Sequence, residues 1–194
     1  MQRHQLPGAS TALCLGKRTG DYAFENLRKL RKFREVLVQF FDKRAPMAEV
    51  EKFSLEIKRF IKAPRDRVYA AWTDPAQLKK WFGPENVRTR DLIADVRVGG
   101  QFRWDCTDPE GKEVTISGEY RELQPGRKIV FSWKHEENED WIDHNSIVTV
   151  EFFDREGGTE VRLTHEKLPT DTSRDDHEQG WKSVLEKLEK FLSR

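Results

Sequence analysis

Histidine is the side chain best suited to proton chemistry near neutral pH, and one histidine of this sequence sits on a patterned segment. His165 ends the run Thr159–His165, in which Val161 and Leu163 alternate with polar neighbours, so alternation turns it to the inner face of a strand. There it could orient a polar ligand group or act as an acid or base; the alternative is a hydrogen-bonded core histidine. His135, Asp140, Asp143 and His144 are metal-ligand types gathered in one polar, acidic stretch, but they lack regular ligand spacing, so no metal is expected. Cys14 and Cys106 have no CxxC partner and form no disulfide framework, which fits a reducing, cytoplasmic setting. No Walker loop, dinucleotide glycine fingerprint or Gly-x-Ser-x-Gly elbow is present, and no cofactor is expected.

A second set of residues could bind rather than react. Trp104, Tyr120, Phe131, Trp133, Val150 and His165 fall on the apolar side of successive alternating runs, and Trp181 and Leu185 share one face of a helical run. Together they could line a cavity for an apolar ligand; taken singly, each is an ordinary core residue. Gly180 lies inside the helical run, where it costs about 1 kcal/mol relative to Ala, so it marks either close approach to a ligand or close packing of helix on sheet.

The elements that must hold these residues are legible from period and punctuation. Phe53, Leu55 and Ile57 alternate with polar residues as a half-buried strand, and Ala63-Pro64 ends it. Two short helices follow: Arg65–Trp72, then one capped by Asp74 with Pro75 at its first position, ended by Gly83-Pro84. From Arg90 the helical period gives way to alternating runs at 90–98, 101–106, 113–122, 128–134, 146–154 and 159–165, joined by Gly- and Pro-rich turns. Gly118 is a candidate bending point, because a strand glycine permits a bulge. The chain closes on an amphipathic helix through Trp181, Val184, Leu185, Leu188, Phe191 and Leu192, with Ser173 and Asp176 at capping-box spacing. Arg59 and Arg103 are strand arginines expected to keep their charge in solvent.

Composition bounds the answer. A chain of 194 residues, 36% hydrophobic and 36% charged, holds one domain of ordinary size without a disulfide or metal staple. With 6 Trp and 12 Phe against 2 Met, its core is aromatic. No apolar run reaches the roughly 18 residues of a membrane span. Residues 1–46 carry 10 basic and 4 acidic residues (+6), and 47–194 carry 25 and 30 (−5). A mildly acidic body argues against nucleic acid as a partner. Residues 1–20 read as disordered, and Phe24, Leu27, Leu30, Leu37 and Phe40 form a helical stripe with a basic flank. That stripe could meet a membrane surface or a partner, pack on the domain, or lie upstream of the native product, since Met47 opens a natural start before the first strand. The expected division is therefore a basic extension, 1–46, and a domain, 47–194.

The ordered set of motifs resembles the Hsp90 ATPase activator homologue-like domains of the START/Bet v 1-like superfamily. It comprises Ala63-Pro64 with Trp72-Thr73-Asp74-Pro75, Trp81-Phe82-Gly83-Pro84, Gly99-Gly100-Gln101-Phe102-Arg103, Gly118-Glu119-Tyr120, Val130-Phe131-Ser132-Trp133, Leu163-Thr164-His165-Glu166 and His177-Glu178-Gln179-Gly180-Trp181. The resemblance covers about 54–193. It implies an α+β helix-grip fold: a curved antiparallel sheet of about six to seven strands around a long C-terminal helix, with two short helices after the first strand. It also implies an internal cavity between sheet and helix. The eukaryotic co-chaperones carry a further N-terminal domain, for which residues 1–46 are too short.

Three functions compete at this point. The first is non-catalytic binding of a small hydrophobic or amphipathic ligand. The second is an interaction module for an Hsp90-type chaperone, and the third a cyclase- or hydrolase-type enzyme using the same cavity. No paired acid–base constellation supports the third. The oligomeric state is open.

Overall fold

The computed structural model describes residues 53–141 and 144–193, all within one compact unit, Ala48–Arg194. The stripe at 24–40, the boundary at Met47 and Asp143 lie outside the described residues.

Alternation decides the first strand, β1 (Leu55–Ile61): Leu55, Ile57 and Ile61 are buried while Glu56, Lys58 and Phe60 face out. Pro64 precedes the first helix, α1 (Arg65–Thr73), which buries Val68, Ala71 and Trp72. The second, α2 (Pro75–Trp81), starts where the Asp74 side chain accepts the Ala76 N–H at 2.9 Å, with Pro75 in the first turn. Six strands follow: β2 (Arg88–Ala94), β3 (Gln101–Thr107), β4 (Glu113–Gln124), β5 (Lys128–His135), β6 (Ser146–Arg155) and β7 (Gly158–Glu166). All pairings are antiparallel, in the order β1-β7-β6-β5-β4-β3-β2, so the two edges of one seven-stranded sheet are the consecutive strands β1 and β2, which the two short helices connect.

The sheet curls around the last helix, α3 (Asp171–Leu192), which lays Trp181, Val184, Leu185, Leu188 and Leu192 against it. This is the α+β helix-grip architecture. The curl has a local cause on β4, where the register against β5 slips between Tyr120 and Glu122. Gly118, two residues earlier, serves a different purpose: a Cβ there would stand 1.9 Å from the Ser132 carbonyl oxygen and 2.4 Å from the Phe102 ring. It clears space for a neighbouring strand and an aromatic ring, and the irregularity lies beyond it.

The cap of α3 also differs from the expected capping box. Thr170 is the N-cap, its Oγ1 accepting the Ser173 N–H at 3.0 Å, so the helix starts a turn earlier than Ser173. Arg59, on the inward parity of β1, reaches α3 and donates from Nε and Nη2 to Glu189 at 2.8 and 2.6 Å. Arg103 pairs with Asp105 on its own strand. Both strand arginines are partnered rather than simply solvated.

Candidate functional site

The end of α2 and the first half of α3 frame a cleft over β3, β4 and β5. Its volume is about 750 Å³, inside the roughly 300–1,000 Å³ typical of ligand pockets. Phe82 contributes from the end of α2, Trp104 and Cys106 from β3, Ile116 from β4, Trp133 and His135 from β5, and His177, Gly180 and Trp181 from α3. Phe82 is the hub: its ring meets Trp104, Trp181 and Trp133 at centroid distances of 5.4, 6.2 and 6.4 Å. The chain leaves Phe82 through Gly83, where a φ of 96° and the 2.7 Å at which a Cβ would stand from the Trp104 ring both require a residue without Cβ.

The eight residues expected to line one cavity divide three ways. Trp104, Trp133 and Trp181 line the cleft. Tyr120 and Phe131 border a separate void of about 20 Å³ with Phe102 and Leu92. Val150, His165 and Leu185 are fully buried in the packed interior. Gly180 opens onto the cleft rather than pressing on the sheet, since a Cβ there would meet only Pro84, at an ordinary 3.7 Å.

Behind the cleft wall lies a histidine–tryptophan network whose protons can be assigned. An indole N–H only donates, so the 3.2 Å contact from Trp133 Nε1 leaves His177 Nε2 as a bare acceptor. His177 Nδ1 therefore carries the hydrogen and donates to the Ser173 carbonyl at 2.6 Å. His135 Nε2, 3.2 Å from the same His177 Nε2, must donate too, which leaves the His135 lone pair on Nδ1. A second chain runs alongside: Trp181 Nε1 donates to His165 Nδ1 at 3.2 Å, and His165 Nε2 donates to Ser146 Oγ at 2.8 Å. Ser146 in turn donates to the Trp133 carbonyl at 2.7 Å. Every ring is held in one neutral tautomer.

Burial sustains that neutrality. It lowers the pKa of His135 to about 3, with the neighbouring His177 adding to the effect. It lowers His165 well below the ordinary imidazole range and lowers His177 against the opposing pull of Ser173 and Asp176. The Cys106 thiol is pushed up to about 11 by burial, so it stays protonated and is a poor nucleophile.

The polar stretch after β5 hides a residue that its composition conceals. Trp141, in a single 3₁₀ turn (Glu139–Trp141), is buried and packs against His135 at 4.9 Å and His177 at 5.4 Å. His144 lies against the same indole at 6.3 Å. Among the described residues no three His, Cys, Asp or Glu side chains converge in a metal-ligating group. The pairing of His135 with His177 was not visible in sequence. One signal pointed toward it: Ser173, His177 and Trp181 recur every four residues, on one helix face.

A long helix gripped by a curled antiparallel sheet, with an aromatic cleft beside the helix, defines a helix-grip domain of the START/Bet v 1-like class. Within that class, the family described as activator of Hsp90 ATPase homologue 1-like protein matches residues 62–193, and the chain belongs to it. A solved structure from Rhizobium leguminosarum is 30% identical, covering 73% of this chain and 94% of its own, with a TM-score of 0.65. One from Silicibacter pomeroyi, bearing the family name, is 25% identical over 72% of this chain and 97% of its own, with a TM-score of 0.63. A Chromobacterium violaceum protein shares the fold at 24% identity, covering 74% of this chain and 99% of its own, with a TM-score of 0.66. Among curated proteins none matches this chain. No helix among the described residues is long and apolar enough to cross a membrane.

Proposed function

We propose that this domain binds a small amphipathic molecule in the cleft between α3 and strands β3–β5, without transforming it. One observation carries the reading: a cleft of about 750 Å³ with Phe82, Trp104, Trp133 and Trp181 on its walls. An aromatic wall of this kind supplies large apolar contact at little side-chain entropy cost, the usual way of holding a small ligand. The titratable groups beside it favour binding over catalysis. A histidine with a pKa of about 3 is too weak a base to drive proton abstraction at neutral pH, and the His177 lone pair is already engaged by two donors.

Native mass spectrometry of the intact chain, purified without organic solvent, tests this reading. The expected spectrum shows protein carrying one small-molecule adduct, lost in Gly180→Leu, whose side chain projects into the cleft. Only unliganded protein, before and after exposure to a metabolite extract, would overturn it.

The family match favours a second reading, docking to an Hsp90-type chaperone. Dose-dependent stimulation of Hsp90 ATPase turnover by this chain, unchanged in Gly180→Leu, would put that reading ahead.

A further inference from the structure

The cleft has an unusual balance of hydrogen-bonding groups. Three tryptophans line it, yet none offers its N–H. Trp104 donates to Thr89 Oγ1 at 3.0 Å, Trp133 to His177 Nε2 at 3.2 Å and Trp181 to His165 Nδ1 at 3.2 Å. Each indole has a single donor, so a ligand meets their electron-rich rings and no indole N–H; the side-chain amides of Asn86 and Gln179 place N–H groups on the lining.

The charges point the same way. Asp108, Glu110 and Asp176 lie on the cleft lining, and no Lys or Arg does among the described residues. Asp108 is held in place by accepting the Lys112 backbone N–H at 2.7 Å. The fourth carboxylate, Glu85, is neutralised by Lys190 at 2.9 Å. The two histidines of the wall add no positive charge at neutral pH, because burial keeps both uncharged. His135 Nδ1 has no hydrogen-bond partner among the described residues and stands as a further acceptor.

We propose that the cleft selects amphipathic molecules whose aromatic or aliphatic body carries a protonated amine, and rejects those that carry a carboxylate, sulfonate or phosphate. This selectivity rests on the ligand-binding reading above. A cation gains from the faces of Trp104, Trp133 and Trp181 and from the carboxylates beside them. An anion would meet those carboxylates with no cation on the lining and no indole donor to offset the repulsion; Lys112 and Arg90 act on His135 and Cys106 from beyond it.

A matched pair tests the charge rule on one ring system: 1-naphthylmethylamine, cationic at pH 7, and 1-naphthoic acid, anionic at pH 7. Isothermal titration calorimetry of the full chain at low salt should show the amine binding about tenfold or more tighter than the acid. Added salt should narrow the gap. Gly180→Leu should abolish amine binding, with Gly180→Ala as the folded control. Combined Asp108→Asn, Glu110→Gln and Asp176→Asn should weaken the amine and strengthen the acid. The comparison on the unaltered chain decides the rule even if the triple variant folds poorly. Acid binding as tight as the amine would overturn the selectivity and leave the binding reading standing. Binding of neither would overturn both, and amine binding that survives Gly180→Leu would remove it from this cleft.

Discussion

The indole N–H of Trp133 points at Nε2 of His177 from 3.2 Å, and this contact fixes the protonation of the histidine. A protonated His177 would set one N–H against another. The same logic passes to His135, whose Nε2 faces the same atom at 3.2 Å. A strand residue and a helix residue 44 positions apart thus hold the cleft wall neutral.

That neutrality has a cost in acid. His135, His165 and His177 all have folded pKa values below the ordinary imidazole value. Above about pH 6.5 both the folded and unfolded chains leave them neutral, so they contribute no pH dependence. Below it the unfolded chain takes up protons that the folded chain refuses, and stability falls. His135 and His165 alone should remove about 2–3 kcal/mol between pH 7.5 and 5.5, at roughly 1.4 kcal/mol per unit for each. Glu56, Asp74, Glu85, Asp105, Glu122 and Glu137, all held below the ordinary carboxylate value by their partners, stay ionised in this window. Urea midpoints at the two pH values measure the loss, and equal midpoints would contradict the assignment.

Two glycines should respond to alanine with opposite signs. Gly180→Ala adds a Cβ that meets only Pro84, at 3.7 Å, so the helix should gain about 1 kcal/mol. Gly118→Ala drives a Cβ to 1.9 Å from the Ser132 carbonyl oxygen and should lose about 2–3 kcal/mol as strand and ring are forced apart. Thermal denaturation of both variants reads the signs directly.

Trp181 is tied to the core by more than its area. Its N–H satisfies the fully buried His165, so Trp181→Phe keeps a ring but leaves His165 Nδ1 without a donor. The expected loss is about 1–3 kcal/mol. A double-mutant cycle with His165→Leu should recover part of it; strict additivity would show that the contact contributes nothing.

Strand alternation and helical rhythm made the element order legible, because a half-buried strand and an amphipathic helix each expose their period in the chain. Asp74-Pro75 announced a helix start by local chemistry that operates in the fold. What stayed hidden depends on neighbours rather than period. Alternation turned Val150 and His165 inward, as it did Trp133, but could not tell which of them would be sealed beneath the helix and which would border a cleft. Trp141 was masked by the acidic residues around it, although it is the ring against which His135 and His177 pack. Gly118 looked like a bend because a bulge and a close approach leave the same mark in sequence.

The central claim is that a small molecule occupies the cleft beside Trp104, Trp133 and Trp181. The chain has 6 tryptophans, each with one indole N–H resonance. Trp72 and Trp81 pack on the α1–α2 side, with the Trp81 N–H bonded to the Ala71 carbonyl at 3.0 Å. The most direct measurement is a titration of the ¹⁵N-tryptophan-labelled chain with the uncharged dye N-phenyl-1-naphthylamine, followed by two-dimensional NMR. The account predicts saturable shifts of the Trp104, Trp133 and Trp181 resonances, with smaller ones at Trp72 and Trp81, which meet the cleft only through the Phe82 ring. Absence of any saturable shift, or shifts of equal size at Trp72 and Trp81, would contradict it.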